Sequence, residues 1–162
     1  MPSRQEEFEH IAIPHLRALL RVARRLTLDF AAAEDLVQES MLLAWRGFHR
    51  FRADTNARAW LFRILFNAFY GEGRKAARAA QPVPLKDHVR PVVEEAVEVS
   101  EALNALPLDQ RTVLLLCVVE GFTCLEAAEI LNVPIGTVMS RLSRARQELR
   151  ETLKPLAKEA YR

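Results

Sequence analysis

Glycine and cysteine are both scarce: five glycines and two cysteines in 162 residues. With so little glycine there is no phosphate-cradling glycine loop, and half the residues are hydrophobic, which sets the chain apart from disordered sequences. Long apolar runs are missing too. The longest is Val113 to Val119, seven residues, well short of the roughly 20 that cross a bilayer. The first ten residues, MPSRQEEFEH, carry acids and no apolar stretch of the signal-peptide kind, so no membrane insertion is expected and a cytoplasmic location is. Cys117 and Cys124 lack the paired CxxC spacing of a zinc site, and His10, His15, His49 and His88 show no ligand spacing. No metal, cofactor or nucleophile triad is expected. For the cysteines, buried reduced thiols are the first expectation, with a redox or metal role as the alternative.

Charge is nearly balanced, at a formal net +2, but it is unevenly distributed. Basic residues outnumber acidic ones 13 to 9 over residues 1–80 and 8 to 7 over 103–162, whereas acids lead 5 to 2 over 81–102. Between Thr137 and Arg150 the bias sharpens: Arg141, Arg144, Arg146 and Arg150 face Glu148 alone. Such a compact basic patch is the electrostatic footprint of a phosphate-binding surface. An ordinary solvated helix face is the bland alternative.

Apolar residues recur at helical spacing in the first 80 residues: Leu16, Leu19, Leu20, Ala23 and Leu26, then Leu36, Val37, Leu43 and Ala44, then Trp60, Leu61, Ile64, Leu65 and Ala68. Three amphipathic helices are predicted, with breaks near 27–30 and 50–56, where Asp54, Thr55 and Asn56 are candidate N-caps. Trp60 has Ile64 four residues on, which favours core packing over an exposed stacking role. Prolines 82, 84 and 91 interrupt the next stretch and mark a linker. Helical spacing resumes near Val93 with EEAVEVSEALNALP. An apolar helix from Leu108 to Glu120 is predicted to stop at Gly121, and Thr123 with Glu126 forms a capping box for LEAAEIL. Asn132 to Gly136 then form a turn, and Thr137 opens the final helix, an arrangement of the helix-turn-helix type. Along that helix Val138, Leu142, Ala145 and Leu149 share one face, leaving Thr137, Met139, Ser140, Arg141, Ser143, Arg144 and Arg146 outward.

At these residues the chain resembles a known family. GFTCLEAAEILNVPIGTVMSRLSRARQEL, preceded by ALNALPLDQRTVLLL, is similar to the fourth conserved region of the extracytoplasmic-function sigma factors of bacterial RNA polymerase, in the sigma-70 family. AEDLVQESMLLAWRGFHRF and TNARAWLFRILFNAFY resemble that family's second region. The resemblance implies an all-α fold of two small helical domains: a region 2 bundle over 1–78 and a region 4 domain over 94–162, with a helix-turn-helix at about 123–146, joined by a flexible linker over 79–93. The segment AFYGEGRK resembles the general-stress-response subgroup.

The resemblance also assigns roles. Asp35, Gln38, Glu39, Leu42 and Trp45 fall at positions that bind core RNA polymerase, although for Leu36, Leu43 and Trp45 the spacing also suits the core. Phe51, Asp54, Thr55, Asn56 and Asn67 match residues that hold the opened minus-10 strand, with Arg74, Lys75 and Arg78 as phosphate contacts. Gly71 and Gly73 depart from the family's pattern and weaken their helix by roughly 1 kcal/mol each. Thr137, Met139, Ser140, Ser143 and Arg144 fall on the minus-35 reading face, with Arg141 and Arg146 on phosphates. Many relatives carry a basic residue where Met139 stands, and a Met packs on a thymine methyl group where Arg would bind guanine. The implied function is a sigma factor: it brings core polymerase to promoters with minus-10 and minus-35 elements, promotes melting, is not itself an enzyme, is a monomer when free and has an anti-sigma partner. Two rivals remain at this stage, a sigma mimic that sequesters an anti-sigma factor and a stand-alone helix-turn-helix regulator.

Overall fold

A computed structural model describes the chain's backbone over residues 1–79 and 94–160. Among those residues the architecture is helical, and it falls into two compact units, one built on helices α1 to α4 and one on α5, α6, most of α7 and α8. The linker expected over 79–93 lies, apart from Ala79, outside the described residues.

The N-terminal unit has one helix more than periodicity predicts. Helix α1 spans Arg4–Ala12 and begins with a complete capping box: Ser3 Oγ accepts from the Glu6 N–H at 3.2 Å, and the Ser3 N–H donates to Glu6 Oε2 at 2.6 Å. These bonds hold the Glu6 carboxyl below its ordinary pKa. A short 3-10 turn, Ile13–His15, leads into α2, Leu16–Thr27, which ends where Leu28 adopts the left-handed conformation. Asp29 caps α3, Phe30–Gly47, by accepting from the Ala32 N–H. Helix α4 runs Ala57–Ala79. Helix α2 packs on α3, α3 on α4, and α1 against α4. The buried faces carry Leu19, Val22, Leu36, Leu61, Phe62, Leu65 and Phe66. Leu36 meets its expected place in this core. Leu43 does not: it is 39% exposed, although Ser40 and Ala44 on either side of it are buried.

In the C-terminal unit α5, Glu94–Ala105, precedes α6, Leu108–Leu114. The predicted helix to Glu120 changes character at Leu115, where a π-helical segment, Leu115–Val119, widens the turn. It closes with the Glu120 N–H on the Leu115 carbonyl, and Gly121 at φ 74° lets the Phe122 N–H return to the Leu116 carbonyl, both at 2.9 Å. Thr123 and Glu126 make the predicted capping box for α7, Cys124–Leu131. Asn132, left-handed at φ 53°, ends it. Helix α8, Ile135–Ala160, starts two residues before the predicted Thr137, because the Pro134 carbonyl already accepts from the Thr137 and Val138 N–H groups. Val138, Leu142 and Ala145 are buried as expected.

Candidate nucleic-acid interface

The loop between α3 and α4 is tied down residue by residue. Asn56 Oδ1 accepts from the Ala59 N–H at 3.1 Å, so Asn56 caps α4. Thr55 folds back, its N–H and hydroxyl both donating to the Arg52 carbonyl at 3.0 and 2.6 Å. Arg52 pairs with Asp54 at 3.2 Å on the open surface. Phe51 is half-buried, 4.7 Å from Trp60 and stacked at 6.0 Å on Phe48. Phe48 in turn meets Phe8 edge-on at 5.3 Å. Trp60 is thus half-buried in an aromatic cluster, in line with the packing role its spacing predicted. Phe51 anchors the loop, while Asp54, Thr55 and Asn56 stay exposed. Asn67 lies exposed on α4, between buried Phe66 and Ala68. The side chains of Arg74, Lys75 and Arg78 lie outside the described residues.

On α3, Asp35, Gln38 and Leu42 are exposed and Glu39 half-buried, spaced along one side of the helix. Leu42 is 58% exposed, an apolar side chain that the unit itself does not cover. Trp45 differs from them. Phe8 packs edge-on against it at 5.3 Å, the Arg4 guanidinium lies 4.7 Å above its ring, and Arg4 also donates to the Trp45 carbonyl. Helix α1 therefore covers part of Trp45; the Ser3 and Glu6 spacing marks the start of that helix but not this contact.

Along α8 the seven expected residues do not form a single set. Met139, Ser143 and Arg146 line one groove of about 360 Å³ with Cys124 from the start of α7. Ser140 and Arg144 are exposed, and the Ser140 hydroxyl donates back to the Thr137 carbonyl. Thr137 is half-buried. Arg141 points to the other flank, where its Nε lies 3.5 Å from the Asp109 carboxylate of α6. Sequence marks Asp109 only as part of the start of α6 after Pro107; its pairing with Arg141 leaves no mark in the spacing of α8, because the two stand on different helices. The expectation of buried thiols is also overturned: Cys117 and Cys124 are both free and half-exposed. The π segment turns the end of the apolar run outward, leaving Val118 and Val119 exposed beside Cys117.

No helix among the described residues is long and apolar enough to cross a membrane. Residues 12–79 match the family model for sigma-70 region 2, and residues 96–149 match the one for sigma-70 region 4. The chain is 38% identical over 152 residues to the ECF RNA polymerase sigma factor SigM of Mycobacterium tuberculosis, covering 90% of this chain and 76% of the relative. It is 37% identical over 145 residues to the sigma factor EcfG of Rhodopseudomonas palustris, covering 85% and 78%. Among solved structures, the sigma factor RpoE of Bartonella quintana, in complex with the anti-sigma factor NepR, superposes with a TM-score of 0.83 at 36% identity over 91% of this chain and 97% of that one. CnrH in complex with the cytosolic domain of CnrY gives 0.71 at 29% identity over 93% and 90%. With two sigma-70 regions in order on two helical units and relatives of this identity along most of its length, the chain belongs to the extracytoplasmic-function sigma factors of RNA polymerase.

Proposed function

We propose that this chain binds core RNA polymerase, directs it to promoters with minus-10 and minus-35 elements and promotes melting at the first, working in the cytoplasm without catalytic groups of its own. The observation that carries the reading is the built loop of the N-terminal unit. Phe51 and the Asn56 cap fix its ends, and Asp54, Thr55, Asn56 and Asn67 present short polar groups to solvent. Single-stranded bases are held by polar contacts to their edges and by stacking, and a flipped base costs a few kcal/mol that such contacts must offset. A loop ordered beforehand spends none of that gain on its own folding. Melting then follows from preferential binding of the opened strand.

In this reading Asp35, Gln38, Glu39 and Leu42 of α3 face the polymerase, with Trp45 helping to hold that helix in place through α1. Met139, Ser140, Ser143, Arg144 and Arg146 of α8 meet the minus-35 duplex, with Thr137 at the helix entry and Arg141 released from Asp109 onto phosphate. Exposed Leu42 adds an apolar side chain one turn beyond Gln38 and Glu39, and an apolar group beside polar ones is a suitable composition for a protein interface. The complexes of RpoE with NepR and of CnrH with CnrY support an anti-sigma partner for this chain too.

Permanganate footprinting with purified protein and core polymerase tests the reading. Reactive thymines in the minus-10 region of a cognate promoter are expected. Binding to an anti-sigma protein without opening of any promoter would replace it with the sigma-mimic reading. Asn67→Ala should lower promoter opening while leaving polymerase binding intact, and an equal loss of both would remove Asn67 from the strand-binding set.

A further inference from the structure

The two cysteines sit on either side of the turn at Gly121 in the C-terminal unit. Cys117 belongs to the π segment, Cys124 is the first residue of α7, and the turn at Gly121 folds one back beside the other. Burial, and the Cys124 thiol close beside it, push the pKa of the Cys117 thiol up, and both side chains remain half-exposed. Cys124 also lines the groove that holds Met139, Ser143 and Arg146. Neither thiol is used by promoter recognition, and neither is sealed in the core.

We propose that Cys117 and Cys124 form a dithiol modification site that is closed to an intramolecular disulfide by oxidants of the peroxide class, and that this closure alters the minus-35 groove. Cys124, on the groove, is the attacking thiol. Its sulfur displaces hydroxide from the peroxide: the S–O bond forms, the O–O bond breaks, and the hydroxide leaves as water with the thiol's proton. The Cys117 sulfur then attacks the sulfenic acid, forming the S–S bond as the S–O bond breaks, and a second water leaves with the Cys117 proton. Two thiols lose two electrons in all, and the peroxide is reduced to two waters. Cys124 goes first because it lines the open groove, where peroxide can reach it, and Cys117 on the other side of the turn is left as the resolving thiol.

A disulfide holds its sulfurs about 2.05 Å apart, closer than two unbonded thiols approach. Closing it draws the first turn of α7 toward the π segment and so displaces Cys124, one wall of the groove that Met139 and Arg146 also line. The effect on promoters rests on the proposed role of α8; the disulfide itself does not.

The test treats the full chain with hydrogen peroxide and reads intact mass and thiol alkylation without reductant. A monomer lacking two hydrogens, with both cysteines refractory to alkylation and restored by dithiothreitol, is expected. Cys117→Ser should stop at a sulfenic acid on Cys124 that a dione reagent captures. Two alkylatable thiols after peroxide, or a disulfide-linked dimer in place of the closed monomer, would overturn the site. Oxidised protein with core polymerase should then show a several-fold loss of run-off transcription from a minus-35-dependent promoter, reversed by dithiothreitol and absent in the double Cys→Ser variant. Formation of the disulfide with unchanged transcription would overturn its link to the groove. Reduced protein that transcribes nothing would count against the sigma reading and leave the mass result standing.

Discussion

Asp109 and Arg141 offer a direct test of how α8 meets DNA. Their N···O distance is 3.5 Å, and their side chains are 53% and 28% exposed. A pair this open to solvent contributes about 0.2–1 kcal/mol, far less than its bare Coulomb energy, because water screens it and ordering two side chains costs entropy. That is too little to hold the unit together, yet comparable to what one arginine gains from one phosphate in salt. Asp109→Asn removes the competing carboxylate while keeping an oxygen to accept from the Gln110 N–H, as Asp109 Oδ1 does now. Releasing up to about 1 kcal/mol corresponds to at most about fivefold tighter binding. The gain should be largest at low ionic strength and fade as the screening length shrinks from about 10 Å at 0.1 M salt toward 3 Å at 1 M. One more phosphate contact should steepen the log–log salt dependence by about 0.9. Fluorescence anisotropy of holoenzyme on labelled promoter DNA, repeated across a salt series, measures both quantities. Arg141→Ala in the Asp109→Asn background should erase the gain. Weaker binding by Asp109→Asn at every salt concentration would show that the carboxylate aims Arg141 at DNA, and would refute the competition.

Four further outcomes can be measured separately. Burial and the nearby Arg58 guanidinium lower the His15 pKa below its ordinary 6.5, so the folded N-terminal unit favours the neutral ring; stability is fully present above about pH 6.5 and falls as the pH drops through that value toward the lowered one. His15→Gln should flatten that acid limb in thermal melts, and an unchanged limb would assign it to other groups. Thr123→Ala removes the capping oxygen of α7 and should cost the C-terminal unit about 1 kcal/mol by denaturant titration; a loss below the error of the measurement would show the box to be idle. Gly121→Ala leaves open space around the new methyl but forces φ 74° on an alanine, a cost of about 1–2 kcal/mol in the same titration, and wild-type stability would mean that the turn relaxes. Met139, 56% exposed on the groove, should on conversion to Arg shift the preferred minus-35 bases toward guanine in a randomised-promoter selection, and an unchanged preference would remove it from the reading face.

How far the sequence was legible depended on whether each cause was local. The Thr123 and Glu126 box, the stop at Gly121 and the buried stripe of Val138, Leu142 and Ala145 each depend on residues within a turn or two of one another, and spacing alone found them. The same signal was present at Ser3 and Glu6, but α1 carries few apolar residues and its partner Trp45 lies 41 positions from Arg4, so periodicity passed over it. Spacing places Leu43 next to buried Ala44 and near the direction of buried Leu36, but whether it is covered depends on where α2 and α4 pack on α3. The π segment shows the limit most clearly. Seven apolar residues in a row look the same whether the helix is regular or widened, since the choice rests on how Leu115 and Leu116 fill the core and on the return of Phe122 over Gly121. That choice leaves Val118 and Val119 exposed and Cys117 half-exposed. In the candidate interface the residues were therefore legible and their partners were not: Asn56 as both cap and loop residue, Phe51 against Trp60 and Arg141 on Asp109 all depend on where separate helices meet.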